Sequence, residues 1–107
     1  MSALSDINFD RLKSMYFLGI GGIGMSALAR YFNRRGIRIH GYDRTETVLT
    51  KKLVAEGMEV HYQADPNAVP TDIDLIVFTP AIPASNPEWD RLREIRVPIL
   101  KRAEILG

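Results

Sequence analysis

The chain has 107 residues, about the length of a single domain. Hydrophobic residues make up 46% of it and charged residues 25%, the ordinary mixture of a soluble globular protein, which excludes a disordered tail or a coiled-coil rod. Fourteen lysines and arginines against thirteen acidic residues give a net charge of +1, too balanced for a protein that mainly binds a nucleic-acid backbone. We therefore expect one folded domain over residues 1–107 and no nucleic-acid partner.

Residue types that are rare or missing narrow the chemistry further. The sequence has no cysteine, so disulfides and thiolate metal sites are excluded, and only His40 and His61 are present, too few for a three-histidine metal site. Residues 1–14 hold no apolar run of signal-peptide length, and no stretch approaches the ~20 apolar residues of a membrane span. We expect a cytoplasmic chain with no membrane partner.

Short apolar runs alternate with stretches of helical spacing, the pattern of parallel strands joined by crossover helices. The sequence therefore predicts an α/β domain of three layers with a mostly parallel sheet of about five strands. The predicted strands cover residues 15–18, 38–42, 59–62, 75–78 and 98–100. The fourth run is continuously apolar, as expected of a strand inside the sheet.

Helical spacing predicts the connections between these strands. We expect helices over residues 25–35 and 46–56, each ended by a glycine, with Leu49 and Leu53 of the second facing inward. Residues 66–69 allow one turn at most, and residues 101–106 predict a further turn or two. Another helix opens at Asn86, a side-chain cap, followed by Glu88 as a negative charge near the positive helix end; its Trp89, Leu92 and Ile95 would face the sheet.

A glycine-rich segment directly follows the first predicted strand. Gly19, Gly21 and Gly24 satisfy the pattern G-x-G-x-x-G and open a helix, and Asp43 follows at the end of the second strand. In a Rossmann-like domain the first glycine allows the tight turn, the second lets backbone approach a phosphate, and the third permits close packing of helix on sheet. Free amides from Gly22 to Met25 would then face an anion at the positive end of the helix dipole. The alternative is a glycine turn that serves packing alone.

Two polar residues beside this turn have both a functional and a structural interpretation. The Asp43 carboxylate can accept hydrogen bonds from a ribose diol or a base, or it can cap a turn at the strand end. The Arg44 guanidinium can stack on a base or pair with a phosphate, or it can be a solvated charge. Both histidines are interpreted as packed or surface residues and not as ligands.

A stiff loop follows the fourth strand, because three prolines fall within residues 80–87. Since it leaves the same edge of the sheet as the glycine turn, it is either the second wall of a ligand crevice or a plain connector.

Taken together, these motifs resemble the amino-terminal domain of the Mur ligases of peptidoglycan synthesis, and in particular the alanine-adding branch of that family. The motifs are Gly19-Ile20-Gly21-Gly22-Ile23-Gly24-Met25-Ser26, Gly41-Tyr42-Asp43, Ala81-Ile82-Pro83, Asn86-Pro87-Glu88 and Pro98-Ile99-Leu100-Lys101-Arg102-Ala103-Glu104.

The resemblance implies that the domain binds the UDP part of UDP-N-acetylmuramate and contributes no catalytic residue and no metal ligand. It implies the diphosphate at the glycine turn, the uridine at the end of the second strand, and the loop after the fourth strand closing over both. In that order, the implied residues are Gly19, Gly21, Gly22, Ile23, Gly24 and Met25; Asp43, Arg44 and Thr45; and Thr79, Pro80, Ala81 and Ile82.

The family also has an ATP site with the pattern G-x-x-x-x-G-K-[ST], and this chain contains no Gly-Lys pair. We therefore expect a fragment of a longer enzyme whose central and carboxyl-terminal domains supply the rest. At full length the resemblance implies ATP-dependent, magnesium-assisted joining of L-alanine to the muramyl carboxylate, with no cofactor bound by this fragment. Two alternatives remain open from the residues alone: the NAD(P)-binding domain of an oxidoreductase or NAD-sensing regulator, and a small interaction module.

Overall fold

A computed structural model describes residues 7–106. Residues 1–6, which belong to the stretch predicted to hold no leader peptide, lie outside the described part. The strands are β1 (Ser14–Leu18), β2 (Arg38–Tyr42), β3 (Glu59–His61), β4 (Leu75–Phe78) and β5 (Ile99–Lys101). The helices are α1 (Ile23–Arg34), α2 (Val48–Ala55), α3 (Glu88–Glu94) and α4 (Arg102–Leu106). The predicted strands are confirmed, with ends that differ by at most one residue.

The five strands form one sheet in the order β3-β2-β1-β4-β5, and every neighbouring pair is parallel. β1 is central, and all its residues are buried. Phe17 of β1 lies opposite Gly41 of β2 on one side and Val77 of β4 on the other. β2 and β3 extend the sheet on one side of β1, and β4 and β5 extend it on the other side. The β4 run is an interior strand, as its apolar sequence predicts.

Helices cover both faces of the sheet, which confirms the three-layer α/β architecture. On one face, residues of α1 and α2, such as Phe32 and Leu53, join a core with Phe17 of β1. On the other face, Leu92 of α3 packs with Tyr16 of β1 in a second core. Among residues 7–106, no helix is long and apolar enough to cross a membrane.

α2 begins later than its spacing predicts. The Thr47 side chain accepts a hydrogen bond from the Thr50 amide at 3.1 Å, and the Thr50 hydroxyl accepts one from the Thr47 amide at 2.8 Å. This reciprocal cap fixes the start of the helix at Val48. It also turns Thr50 into the core beside Leu53, while Leu49 is only half-buried, so the prediction of Leu49 as a core residue is wrong.

The short crossover before β4 is a single 3-10 turn, Pro66–Ala68, as predicted. α3 starts at Glu88 with Pro87 in the cap position, one residue later than predicted. The predicted side-chain acceptor is present, because the Asn86 side-chain oxygen accepts a hydrogen bond from the Glu88 amide at 2.9 Å.

Candidate functional site

The glycine turn is fixed to the sheet by backbone hydrogen bonds. The amides of Gly19 and Ile20 both donate to the carbonyl of Tyr42, at 2.8 and 3.0 Å. Gly19 has a φ of +96°, a backbone conformation that residues other than glycine rarely adopt, and a Cβ there would overlap Thr79 Cγ2. The turn therefore depends on a glycine at this position, as its place in the motif predicts.

Gly21 is crowded by two side chains. Its amide donates to Asp43 Oδ2 at 2.8 Å, and a Cβ at this position would lie 2.7 Å from the same oxygen and 2.9 Å from Thr50 Cγ2. A glycine is required here because the Asp43 carboxylate and the Thr50 side chain of α2 lie against it. The approach of a phosphate to the backbone at Gly21 stays a prediction.

Gly24 lies against an arginine of α4. A Cβ on Gly24 would lie 2.7 Å from Arg102 Nε, so the small size of this residue makes room for that side chain. Gly41 permits a close approach within the sheet, because a Cβ there would lie 2.7 Å from the Phe17 carbonyl oxygen and 2.8 Å from Ile20 Cδ1. The sequence signal for this role was a glycine inside a predicted strand, which often marks a close backbone approach.

The start of α1 presents unpaired backbone donors. Gly22 caps the helix in an extended conformation without a side-chain hydrogen bond. Within residues 7–106, no backbone acceptor engages the amides of Ile23, Gly24 and Met25, the usual condition of a first helical turn. The Ile23 side chain is 86% exposed and that of Met25 is buried in the core. These amides and the helix dipole make the turn suitable for an anion.

Asp43 connects the glycine turn to the segment after β2. Its second oxygen, Oδ1, accepts from the Thr45 amide at 3.2 Å, so both carboxylate oxygens hold backbone. Asp43 therefore caps the turn, and it is also one of the residues that line the cavity described next. The side chains of Arg44 and Thr45 are exposed beside it.

A crevice of about 520 Å³ opens between the glycine turn, the end of β2 and the loop after β4. It lies at the carboxyl end of the parallel strands where the chain direction changes from β2 to β4 around β1, the position at which open α/β sheets bind ligands. The loop is anchored to this edge because the Thr79 amide donates to the Leu18 carbonyl at 3.3 Å and the Trp89 indole donates to the Pro83 carbonyl at 3.1 Å.

The structure brings many, but not all, of the predicted residues to this crevice. Its lining includes the predicted Gly19, Gly22, Asp43, Arg44, Thr79, Ala81 and Ile82. The predicted residues outside the lining are Gly21, Ile23, Gly24, Met25, Thr45 and Pro80. The lining also includes five residues that the sequence analysis did not assign to binding, although most of them belong to the stiff loop expected as a wall: Tyr42, Pro83, Ser85, Asn86 and Pro87. Within residues 7–106, no group of acidic residues and histidines is arranged to hold a metal ion.

A buried hydrogen-bonded cluster lies beneath the crevice. Glu88 is fully buried and contacts the Tyr16 hydroxyl and His61 Nε2, the latter at 2.7 Å. Burial, reinforced by the Glu88 carboxylate, raises the pKa of Tyr16, so the phenol keeps its proton. His61 Nδ1 lies 3.2 Å from Nε2 of His40, whose pKa is lowered mainly by burial and then by His61. The interpretation of both histidines as packed residues is consistent with these contacts.

The sheet order and the crevice at the point of reversal define a Rossmann-like α/β domain. The model for the Mur ligase family, catalytic domain, matches residues 14–107. The chain belongs to the Mur ligase family.

Known proteins similar to this chain include two ligases and, by fold, a dehydrogenase. It is 45% identical over 105 residues to a UDP-N-acetylmuramate–L-alanine ligase of Flavobacterium johnsoniae, an alignment that covers 94% of this chain and 23% of that protein. The crystal structure of a UDP-N-acetylmuramate-alanine ligase from Thermotoga maritima matches with a TM-score of 0.82 at 36% identity, covering 90% of this chain and 22% of the other. A shikimate dehydrogenase from Aquifex aeolicus matches with a TM-score of 0.58 at 18% identity, covering 89% of this chain and 44% of the other, which shows a shared fold only. The chain thus spans less than a quarter of the length of the two ligases.

Proposed function

We propose that this chain is the domain of a Mur ligase that binds the UDP part of UDP-N-acetylmuramate, within an ATP-dependent enzyme that adds L-alanine in peptidoglycan precursor synthesis. The observation that carries the proposal is the crevice at the sheet reversal, which is lined by Gly22, the cap of α1, and by Asp43 after β2, in a chain similar to ligases of that name.

The diphosphate is placed at the start of α1. The amides of Ile23, Gly24 and Met25 supply donors, and the helix dipole adds roughly half a positive charge there. Gly21 contributes indirectly, since its amide is held by Asp43. This division of roles explains how a domain with a net charge of +1 can bind a dianionic group.

The uridine is placed at the end of β2, where Asp43 borders the crevice and Arg44 and Thr45 are exposed beside it. The exposed Arg44 guanidinium is free to stack on the base or meet a phosphate. Residues 79–82 form the facing wall, and Ile82 supplies apolar surface to it. The volume of the crevice, about 520 Å³, lies in the range of small-molecule binding sites.

ATP and magnesium do not fit the residues of this chain. The sequence lacks the Gly-Lys pair of a phosphate loop, and the described residues 7–106 contain no cluster of three or more acidic or histidine side chains that could hold a metal ion. In our proposal the ATP site, the bound magnesium and the alanine site belong to the central and carboxyl-terminal domains of a longer chain, and this domain supplies no catalytic group.

Calorimetric titration of the chain with UDP, UDP-N-acetylmuramate, NAD, NADP and ATP tests the proposal. We expect the two uridine ligands to bind at least tenfold more tightly than the other three, a difference of about 1.4 kcal/mol. Gly21→Val should abolish most of this binding, because its side chain would displace Asp43 and Thr50. Ala27→Val, a similar change on an exposed face of α1, is the control and should bind normally. Preference for a dinucleotide would instead support the oxidoreductase alternative, and absence of nucleotide binding an interaction module.

A further inference from the structure

Glu88 is a fully buried carboxylate that the proposed nucleotide site does not use. Its Oε1 accepts a hydrogen bond from the Tyr16 hydroxyl, and its Oε2 accepts one from the Asp65 amide at 3.0 Å and lies 2.7 Å from His61 Nε2. Burying a carboxylate is costly unless donors surround it, and here three donors do so. Glu88 is therefore a buried carboxylate held by hydrogen bonds, and not only the charge at a helix start that its sequence position suggests.

The partners of Glu88 come from three separate parts of the chain. Tyr16 lies on central strand β1, His61 ends β3, and Asp65 belongs to the connection after β3. Because Glu88 is the first residue of α3, its carboxylate ties the start of that helix to the middle and the edge of the sheet. No apolar side chain could make these directional contacts.

The same residue lies next to the crevice. Asn86 and Pro87, the two residues before it, line the cavity, and Asn86 is bound to the Glu88 amide through its side chain. On the opposite side, the ring of the lining residue Tyr42 lies 5.6 Å from the ring of His61. Glu88 and His61 thus support two walls of the cavity from beneath.

Glu88 also determines the arrangement of protons in the cluster. The Glu88 oxygen that accepts from the Asp65 amide also lies 2.7 Å from His61 Nε2, so a hydrogen bond between these two atoms has Nε2 as the donor. In the neutral ring Nδ1 is then an acceptor, and it lies 3.2 Å from His40 Nε2, which must donate to it. With its proton on Nε2, a neutral His40 presents an acceptor at Nδ1, so Glu59 Oε2, 3.3 Å away at the surface, can hydrogen-bond to it only when His40 binds a second proton. The tautomers of both histidines therefore follow from the presence of an acceptor oxygen at position 88.

We propose that Glu88 is a positioning residue for the crevice: it holds the start of α3, and with it the wall formed by Asn86 and Pro87, through hydrogen bonds from Tyr16, His61 and Asp65. The effect on ligand affinity rests on the proposed binding of UDP, whereas the effects on proton order and on the mobility of the wall do not.

The ring ¹⁵N chemical shifts of His61 at pH 8 test the proton order. We expect the Nε2–H tautomer in the unmodified chain, because Nε2 lies 2.7 Å from Glu88 Oε2. Glu88→Gln should keep this tautomer, because the glutamine oxygen can accept from both His61 Nε2 and the Asp65 amide while its amide group donates to the Tyr16 oxygen. An Nδ1–H tautomer of His61 in the unmodified chain would overturn the inferred arrangement.

Glu88→Ala tests the support of the wall. We expect hydrogen exchange of the Ile82 and Asn86 amides, which bond to the Thr79 and Pro83 carbonyls, to accelerate at least tenfold, and the affinity for UDP to fall about tenfold. If this variant does not fold, the same two measurements are made on Glu88→Asp, whose shorter side chain cannot reach all three partners, with the same direction expected.

Two controls separate positioning from a general loss of stability. Glu94→Ala removes an exposed carboxylate from the same helix, and Leu53→Ala destabilises the core on the other face of the sheet. Neither should accelerate exchange selectively at Ile82 and Asn86. Equal acceleration in Leu53→Ala, or none in the Glu88 variants, would refute the positioning role. Failure of the unmodified chain to bind UDP would refute the proposed function instead, and hydrogen exchange would still decide the role of Glu88.

Discussion

Asp43 shows how one side chain can serve both a fold and a site. Its carboxylate holds the Gly21 and Thr45 amides, so it joins the glycine turn to the segment after β2 while it borders the crevice. A residue expected to contact the ligand is thus first of all a support for the backbone that surrounds it.

Asp43→Ala should destabilise the chain by about 1–3 kcal/mol, because the half-buried Gly21 amide loses its acceptor. Chemical denaturation measures this change. Asp72→Ala, which breaks an exposed ion pair with Arg38, is the control and should cost under about 1 kcal/mol. Equal unfolding free energies for the Asp43 variant and the unmodified chain would contradict the bracing role.

The predicted residues differ in how far their roles can be derived from sequence. Gly19 could be assigned, because the sharp turn it makes depends on local backbone conformation. The roles of Gly21 and Gly24 could not, because the atoms that crowd them come from Asp43, Thr50 and Arg102, which are distant in sequence. Motif spacing indicates where a glycine is needed but not which neighbour makes it necessary.

At the level of single elements, α2 shows that capping can override apolar spacing. Its start depends on Thr47 and Thr50, a pair that satisfies two backbone donors. The sequence pattern for such a cap usually has an acidic residue or glutamine at the second position, so a threonine pair is not recognised.

Thr47→Ala should lower the unfolding free energy by about 1 kcal/mol, since the Thr50 amide loses its acceptor. Thermal or urea unfolding measures the change against Thr71→Ala, which replaces an exposed threonine in a loop. An equal loss of unfolding free energy in both variants would show that the Thr47 cap does not stabilise the fold.

His40 on β2, which lies beside His61 on β3, should make the free energy of unfolding depend on pH. Burial, and next the proximity of His61, lowers the pKa of His40 below its ordinary value of 6.5, although Glu59 and Glu88 oppose this and Arg38 adds to it. As the pH falls below about 6.5, the unfolded chain binds a proton that the folded chain does not yet bind. The free energy of unfolding should therefore decrease from pH 6.5 down to the lowered pKa of His40.

Urea denaturation between pH 5 and pH 8 measures this dependence. His40→Asn should show a shallower decrease below pH 6.5, because it removes one of the titrating groups. Glu59→Gln should show a steeper one, because it removes a carboxylate that raises the pKa of His40. Identical slopes in all three proteins would rule out the assignment to His40.

At the scale of the whole molecule, the sheet separates two cores. Ile39 belongs to the core beneath α1 and α2, and Ile76 to the core beneath α3. Each side chain is almost fully buried. Interactions between the layers must therefore pass through the sheet itself.

Ile39→Val and Ile76→Val should each cost about 0.5–1.5 kcal/mol. The double variant should equal their sum to within about 0.5 kcal/mol, because the two sites share no core. A double-mutant cycle by chemical denaturation tests this expectation. A larger coupling energy would mean that the two cores respond as one.

The architecture could be predicted because periodicity reports which face of each element is buried, and the strands of this domain are short apolar runs set between clear turn signals. The Glu88 cluster could not. Tyr16, His61 and Glu88 are separated by tens of residues, and nothing in the local sequence of any of them indicates that they meet. Long-range polar contacts of this kind depend on the assembled fold.

The carbonyl of Tyr42 accepts hydrogen bonds from two successive amides of the glycine turn. The turn is therefore ordered by β2 itself, and it cannot open without moving the end of an interior strand. The loss of conformational entropy needed to shape this part of the crevice belongs to folding and not to association with a ligand. A ligand seated on the turn meets a preorganised surface, so more of its contact energy remains available as affinity.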